Sequence, residues 1–258
     1  MKNKTIYLQL LLVLCSLNFF AQKLERPFIL VKNAERSEIL KKIDSIPWAK
    51  QIYSDLKKST DKQVLKFYQN PKSYLKNLPF NWSKAEANQF PPFLKTDHIE
   101  NGKHRNLDNA TEKEWKPAAL LIEYLQVALD CGYLYYITQE EKYAYVASSI
   151  LYSFTKSVQK SKMSSWKGRG GLLFPYDGFR EVRVIGYRLP LIYDFVASYL
   201  KNEGKVFDII KNQKVNFPLK EAQNVFKTYA NITVNYGQTG SNHSVLESPS
   251  LVYNALAM

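Results

Sequence analysis

The sequence predicts an all-α chain of helical hairpins stacked in an α/α layered array. Three observations carry this. Ala118 to Ile137 is a dense apolar run of helical length, and a second apolar run follows to about Lys160 after a very short turn. No stretch alternates convincingly between apolar and polar residues as a half-buried strand does. Successive hairpins of this kind build a solenoid or a closed toroid, and no exact internal repeat decides between them.

In chain order, residues 1–21 read as a secretory signal: Lys2 and Lys4 precede the apolar run Leu8 to Phe20, and Ala21 is the cleavage position. The run is too short and wrongly flanked for a dependable membrane span. Leu14 stands before Cys15 where a lipoprotein signal has a small residue. The expectation is an exported protein, periplasmic or extracellular, with no stable membrane span in the mature chain. Loss of the leader leaves Cys131 as the single thiol, so no internal disulfide can form, and no Cys/His spacing suggests zinc. In its apolar helical run Cys131 reads as a small buried hydrophobe.

Residues 22–115 form a first region. Extended Arg26 to Val31 leads into a helical pattern from about Ala34 to Lys58, with Ile39, Ile43, Ile46, Ala49, Ile52 and Leu56 on one face. Pro47 divides it in two. Residues 61–115, rich in lysine, asparagine and proline, read as long surface loops with short helices. His98 and His104 fall there and read as solvent-facing loop residues rather than ligands.

Residues 116–258 form the second region. Pro117 suits a helix first turn. Thr138, with Glu141 three residues on, fits a capping box for the next helix. A Gly/Ser/Arg-rich loop, 161–178, holds Trp166 and Arg169. A helix from Phe179 to about Lys201 carries Arg180, Glu181, Arg183 and Asp194, with a kink expected at Pro190. Another runs from Pro218 to about Val234, and a last one starts at Ser241 or at Pro249. Leu251, Val252, Ala255 and Leu256 are still apolar, with no helix-stop signal, where the sequence ends, which reads as a chain stopping inside a helical array.

The formal net charge of +13 favours a polyanionic partner. No recognisable nucleic-acid-binding motif is present, so with export the partner expected is an acidic polysaccharide rather than nucleic acid. Solvated surface lysine accounts for the same excess equally well.

Three runs together carry a resemblance. Cys131 to Ala144 joins a small-residue and aromatic helix end to Thr138, Glu141, Lys142 and Tyr143. Arg183 to Tyr193 and Asp194 is a helix ending in Tyr-Asp, and the adjacent Asn242 and His243 precede an apolar helix. In this order they resemble the N-terminal domain of the alginate lyase and heparinase II/III group of polysaccharide lyases. The resemblance implies an incomplete α/α toroid over residues 116–258, and β-elimination at an uronate with neither metal nor other cofactor. It implies Asn242 and His243 as catalytic residues. The group's catalytic tyrosine, on a later helix, and its second histidine, in a C-terminal β-sheet domain, have no matching positions before Met258.

That chemistry suits those residues. Removing the C5 proton of an uronate puts negative charge on the C6 carboxylate, and groups placed where charge develops stabilise the transition state above the ground state. An amide such as Asn242 donates to the carboxylate without titrating. His243 can neutralise it as imidazolium or take the proton as imidazole. Arg180, Arg183 and Arg169 match carboxylate geometry with paired hydrogen bonds. Ion pairs of these arginines with Glu181 or Asp194, or helix-end capping, are the structural alternative. Trp166 reads as a sugar platform or a surface anchor, Tyr236 as a sugar-stacking or loop-packing residue, and Gln238 as a polar contact in the same turn. The substrate class expected is alginate, or else a heparin-type glycosaminoglycan. Two rivals stand: a glycoside hydrolase drawing on Glu181, Asp177 or Glu247, and a non-catalytic acidic-glycan binder.

Overall fold

The computed structural model describes residues 25–80, 82, 99–100, 103–104, 112–159, 161, 171–174, 178–237 and 242–258. The leader assigned to residues 1–21 lies outside them. Among the described residues the fold is all-α, with two small antiparallel hairpins as its only strands. No helix among them is long and apolar enough to cross a membrane.

A 3-10 turn, Asn33–Glu35, opens the N-terminal region and leads into α1 (Arg36–Ser45) and α2 (Pro47–Gln69). Pro47 does divide the pattern: it occupies the first turn of α2, and Ile46 before it is extended. α2 runs well past Lys58, into the segment expected to be loops. α3 (Pro71–Lys76) follows at once, with the Asn70 side chain accepting from the Ser73 amide at 2.9 Å. The backbone of β1 (Ile99–Glu100) pairs with β2 (Lys103–His104). His98 lies outside the described residues.

α4 (Glu112–Thr138) and α5 (Glu141–Val158) are the expected hairpin, closed differently from expectation. Thr138 is the last residue of α4, not the cap of α5. Its hydroxyl donates to the Leu134 carbonyl at 2.8 Å and accepts from the Glu140 amide at 3.2 Å. The reason is Gln139, whose φ of 62° ends α4 in the left-handed conformation and delays the new helix. α5 is buried on nearly every side, from Tyr143 through Thr155, as a helix apolar all round must be. Its buried serines Ser148, Ser153 and Ser157 satisfy their hydroxyls on carbonyls one turn back. Cys131 is fully buried, and burial pushes its thiol well above the ordinary range, so the hydrophobe reading holds.

A short helix α6 (Gly178–Glu181) passes through a π-helical turn (Val182–Gly186) into α7 (Arg188–Lys201). The distortion expected at Pro190 thus lies upstream of it. Proline has no N–H to give the carbonyl four residues earlier, that of Gly186. That carbonyl instead accepts from Asn254 Nδ2, at 2.8 Å. Asn254 belongs to α9 (His243–Ala257), which packs with α8 (Leu219–Tyr236) as a second antiparallel hairpin. The absence of strands expected from the sequence is corrected by β3 (Lys205–Asp208) and β4 (Gln213–Asn216). They are only four residues each, too short for alternation to register. Asp208 closes their turn by accepting from the Ile210 and Lys211 amides, and Tyr152 donates to its other oxygen at 2.5 Å.

α4, α7 and α9 run side by side in the same direction, with Gly132 against Phe195, Tyr135 beside Ser198, and Gly186 against Ser250 and Asn254. α5 and α8 pack behind this row. The extended N-terminal segment lies across its face. There the buried carboxylate of Asp194 accepts from Arg26 at 2.8 Å and from the amides of Phe28 and Ile29 at 2.9 Å. Arg26 reaches on to the Leu256 carbonyl at 2.8 Å, and its guanidinium lies 5.0 Å from the centre of the Tyr193 ring. Arg36 similarly donates to the final carbonyls of α4, those of Tyr136 and Ile137.

Two outcomes follow from this packing. Asn254→Ala leaves the Gly186 carbonyl buried without a donor and lowers stability by roughly 1–3 kcal/mol, read as a drop in the urea midpoint. At high pH, burial pushes the phenols of Tyr145 and Tyr199 up to about 12, from an ordinary 10.0. Between those values the unfolded chain has released protons that the folded chain still holds. Stability therefore falls as pH rises through that window, and the tyrosinate absorbance of these two buried phenols should appear together with unfolding.

Candidate functional site

A groove of about 760 Å³ runs along the face where the π turn and α7 meet α9. Arg180, Arg183, Val184, Tyr187 and Leu191 form one wall at helical spacing; Val245, Leu246, Pro249 and Tyr253 form the other, and Leu30 of the N-terminal segment closes one side. Its lining is mostly apolar, with the two guanidinium groups as its cations. Arg180 lies over the ring of Phe174, 5.7 Å from its centre.

The two catalytic candidates sit at the start of α9, ahead of this wall. Asn242 is exposed and His243 half-buried. Asn242 heads the stripe that continues as Val245, Leu246, Pro249 and Tyr253, the groove-lining face. His243 heads the neighbouring stripe, Glu247, Ser250, Asn254 and Ala257, all of them buried. Neither Asn242 nor His243 is itself among the residues that line the groove. Asn242 makes no side-chain cap for α9.

The carboxylates expected as partners of the arginines are committed elsewhere. Glu181 is fully buried, and its Oε2 accepts from the amides of Leu173 at 2.9 Å and Phe174 at 3.3 Å, while Oε1 accepts from Tyr229 at 2.8 Å. Burial pushes its pKa up against the downward pull of these donors. Asp194 holds Arg26, not Arg180 or Arg183. Glu247 is 2% exposed and turned toward Gly237 at the end of α8. Glu181 and Glu247 are thus both buried and held within the fold; Asp177 lies outside the described residues.

Tyr236 packs half-buried against the main core at the end of α8. Trp166, Arg169 and Gln238 lie outside the described residues. Leu30, Tyr187, Val245, Leu246, Pro249 and Tyr253 were not singled out from the sequence as lining residues. The signal for most of them was there, as the i, i+3, i+4 and i+7 neighbours of Arg180 and Asn242. Leu30 had no local signal, because its place depends on the distant Asp194. Among the described residues no group of three His, Cys, Asp or Glu side chains converges as a metal site would.

No family model matches this sequence, and no solved structure matches it. Among curated proteins it is similar to an endo-acting ulvan lyase of Formosa agariphila, at 24% identity over 257 residues. The similarity takes in 96% of this chain but 28% of that relative, so the chain spans less than a third of the relative's length.

Proposed function

We propose that this chain is the helical part of an exported polysaccharide lyase, built as an incomplete α/α toroid, that cleaves an uronate-containing polysaccharide by β-elimination. The observation that carries the reading is the meeting, along one groove, of the Arg180 and Arg183 pair with the helix headed by Asn242 and His243. The similarity to an ulvan lyase, over nearly the whole of this chain, supports the reaction class independently. It also sets ulvan beside alginate and heparin-type glycans as a substrate.

In this reading the guanidinium groups bind carboxylates of the chain lying in the groove, and the apolar lining accepts sugar faces. Asn242 donates to the carboxylate of the reacting uronate. The C5 proton leaves to a base, the C4–oxygen bond breaks, and a C4–C5 double bond forms as the leaving oxygen gains a proton. His243 either takes the C5 proton or neutralises the carboxylate, according to the stereochemistry of the cleaved sugar. The leader at residues 1–21 takes the protein to where such polymers occur.

The test is an ultraviolet assay of the natural full-length protein on ulvan, alginate and heparin-type polysaccharide. A conjugated product that absorbs as cleavage proceeds is expected. New reducing ends without absorbance would instead mark a hydrolase, and salt-sensitive retention without turnover a binder. Asn242→Ala should lower turnover about 10²–10³-fold and His243→Ala about 10²–10⁴-fold, both with retention on the polyanion largely kept.

A further inference from the structure

The acidic residue next to Arg180 in sequence is buried where an uncompensated carboxylate would be costly, and no groove contact accounts for it. Glu181 points away from the groove, into the junction between α6, α8 and the segment 171–174. Its donors are two successive backbone amides, Leu173 and Phe174, and the buried Tyr229 of α8. The fit is close: a Cβ added at Gly171 would stand 2.0 Å from Oε2. Gly171 itself donates from its amide to the Phe174 carbonyl at 3.1 Å, closing a tight turn around the carboxylate. Phe174, held at its amide in this way, supplies the ring over which Arg180 lies.

We propose that Glu181 is a positioning residue: by fixing the backbone of Leu173 and Phe174 it sets the ring on which the Arg180 guanidinium rests, and so fixes where that charge meets an acidic chain in the groove. The chain of contacts is short and directional. A carboxylate accepting from backbone amides makes strong, well-aimed hydrogen bonds. A guanidinium over an aromatic face is held there by its attraction to the ring. Arg183, three residues on in the π turn, serves as an internal reference.

The inference rests on the acidic-glycan reading of the groove, and two readouts keep the two apart. The first needs no substrate: the rate at which phenylglyoxal modifies Arg180, with Arg183 as the reference, followed by peptide mass spectrometry. The second is KM against kcat in the ultraviolet assay. Glu181→Ala is expected to speed modification of Arg180 several-fold with Arg183 unchanged. It should raise KM several-fold while kcat stays close to its original value. Glu181→Gln keeps an acceptor for the loop amides and can reverse the bond to Tyr229, so it should restore both readouts. In an Arg180→Ala background, Glu181→Ala should add nothing further to KM. If Glu181→Ala fails to fold, Gly171→Ala, which displaces the carboxylate without removing it, is judged by the same criteria. A folded variant with unchanged Arg180 reactivity, with Arg180 and Arg183 accelerated together, or with unchanged KM overturns the proposal. If the original protein neither cleaves nor retains any acidic glycan, the functional reading falls, and the modification rates still decide whether Glu181 positions Arg180.

Discussion

One missing hydrogen organises the groove. Pro190 cannot donate to the Gly186 carbonyl, and a buried carbonyl without a donor costs about 1–3 kcal/mol. The chain meets this with Asn254, from a helix more than sixty residues further on in sequence. To reach, α9 must lie directly on the π turn, and Gly186 permits it: a Cβ there would stand 2.2 Å from Ser250 Oγ and 3.2 Å from the Tyr229 ring. Once α9 is seated, its next stripe stands opposite Arg180, Arg183 and Tyr187, and the groove is the space between. The same contact aligns the head of α9 with the end of the molecule where the arginines lie.

Much of this was legible in the sequence because it depends on local chemistry. The α4–α5 hairpin announced itself through two long apolar runs, Pro47 through its missing donor, and Cys131 through its surroundings. Failures came where a distant partner or a short element decided the outcome. Thr138 has the capping-box pattern with Glu141, yet Gln139 takes the left-handed conformation and moves the helix start on by two residues. The β3–β4 hairpin is pinned to α5 through Tyr152 and Ser149, neither of which is local in sequence.

The site divides in the same way. Arg180, Arg183, Asn242 and His243 stood out as residue types suited to an acidic sugar, and the fold brings their helices to one groove. The partners guessed for the arginines did not hold, because Glu181 and Asp194 are oriented by backbone amides that no pattern of side chains reveals. Helical periodicity gives the face a residue occupies; it cannot reveal which loop will fold back to meet it. Asn242 and His243 make the same point at closer range, since one step along α9 separates the groove stripe from the buried one.

The clasp made by Arg26 has a consequence for the order in which the molecule can be completed. Its partners lie 168 and 230 residues downstream, at Asp194 and Leu256. At roughly 5–20 residues per second of synthesis, the second partner emerges on the order of tens of seconds after the arginine. Until Asp194 has emerged, Arg26 and the amides of Phe28 and Ile29 lack the carboxylate that holds them. Among the earliest pieces made, this segment is fastened in two steps, first onto α7 at Asp194 and then onto α9 at Leu256.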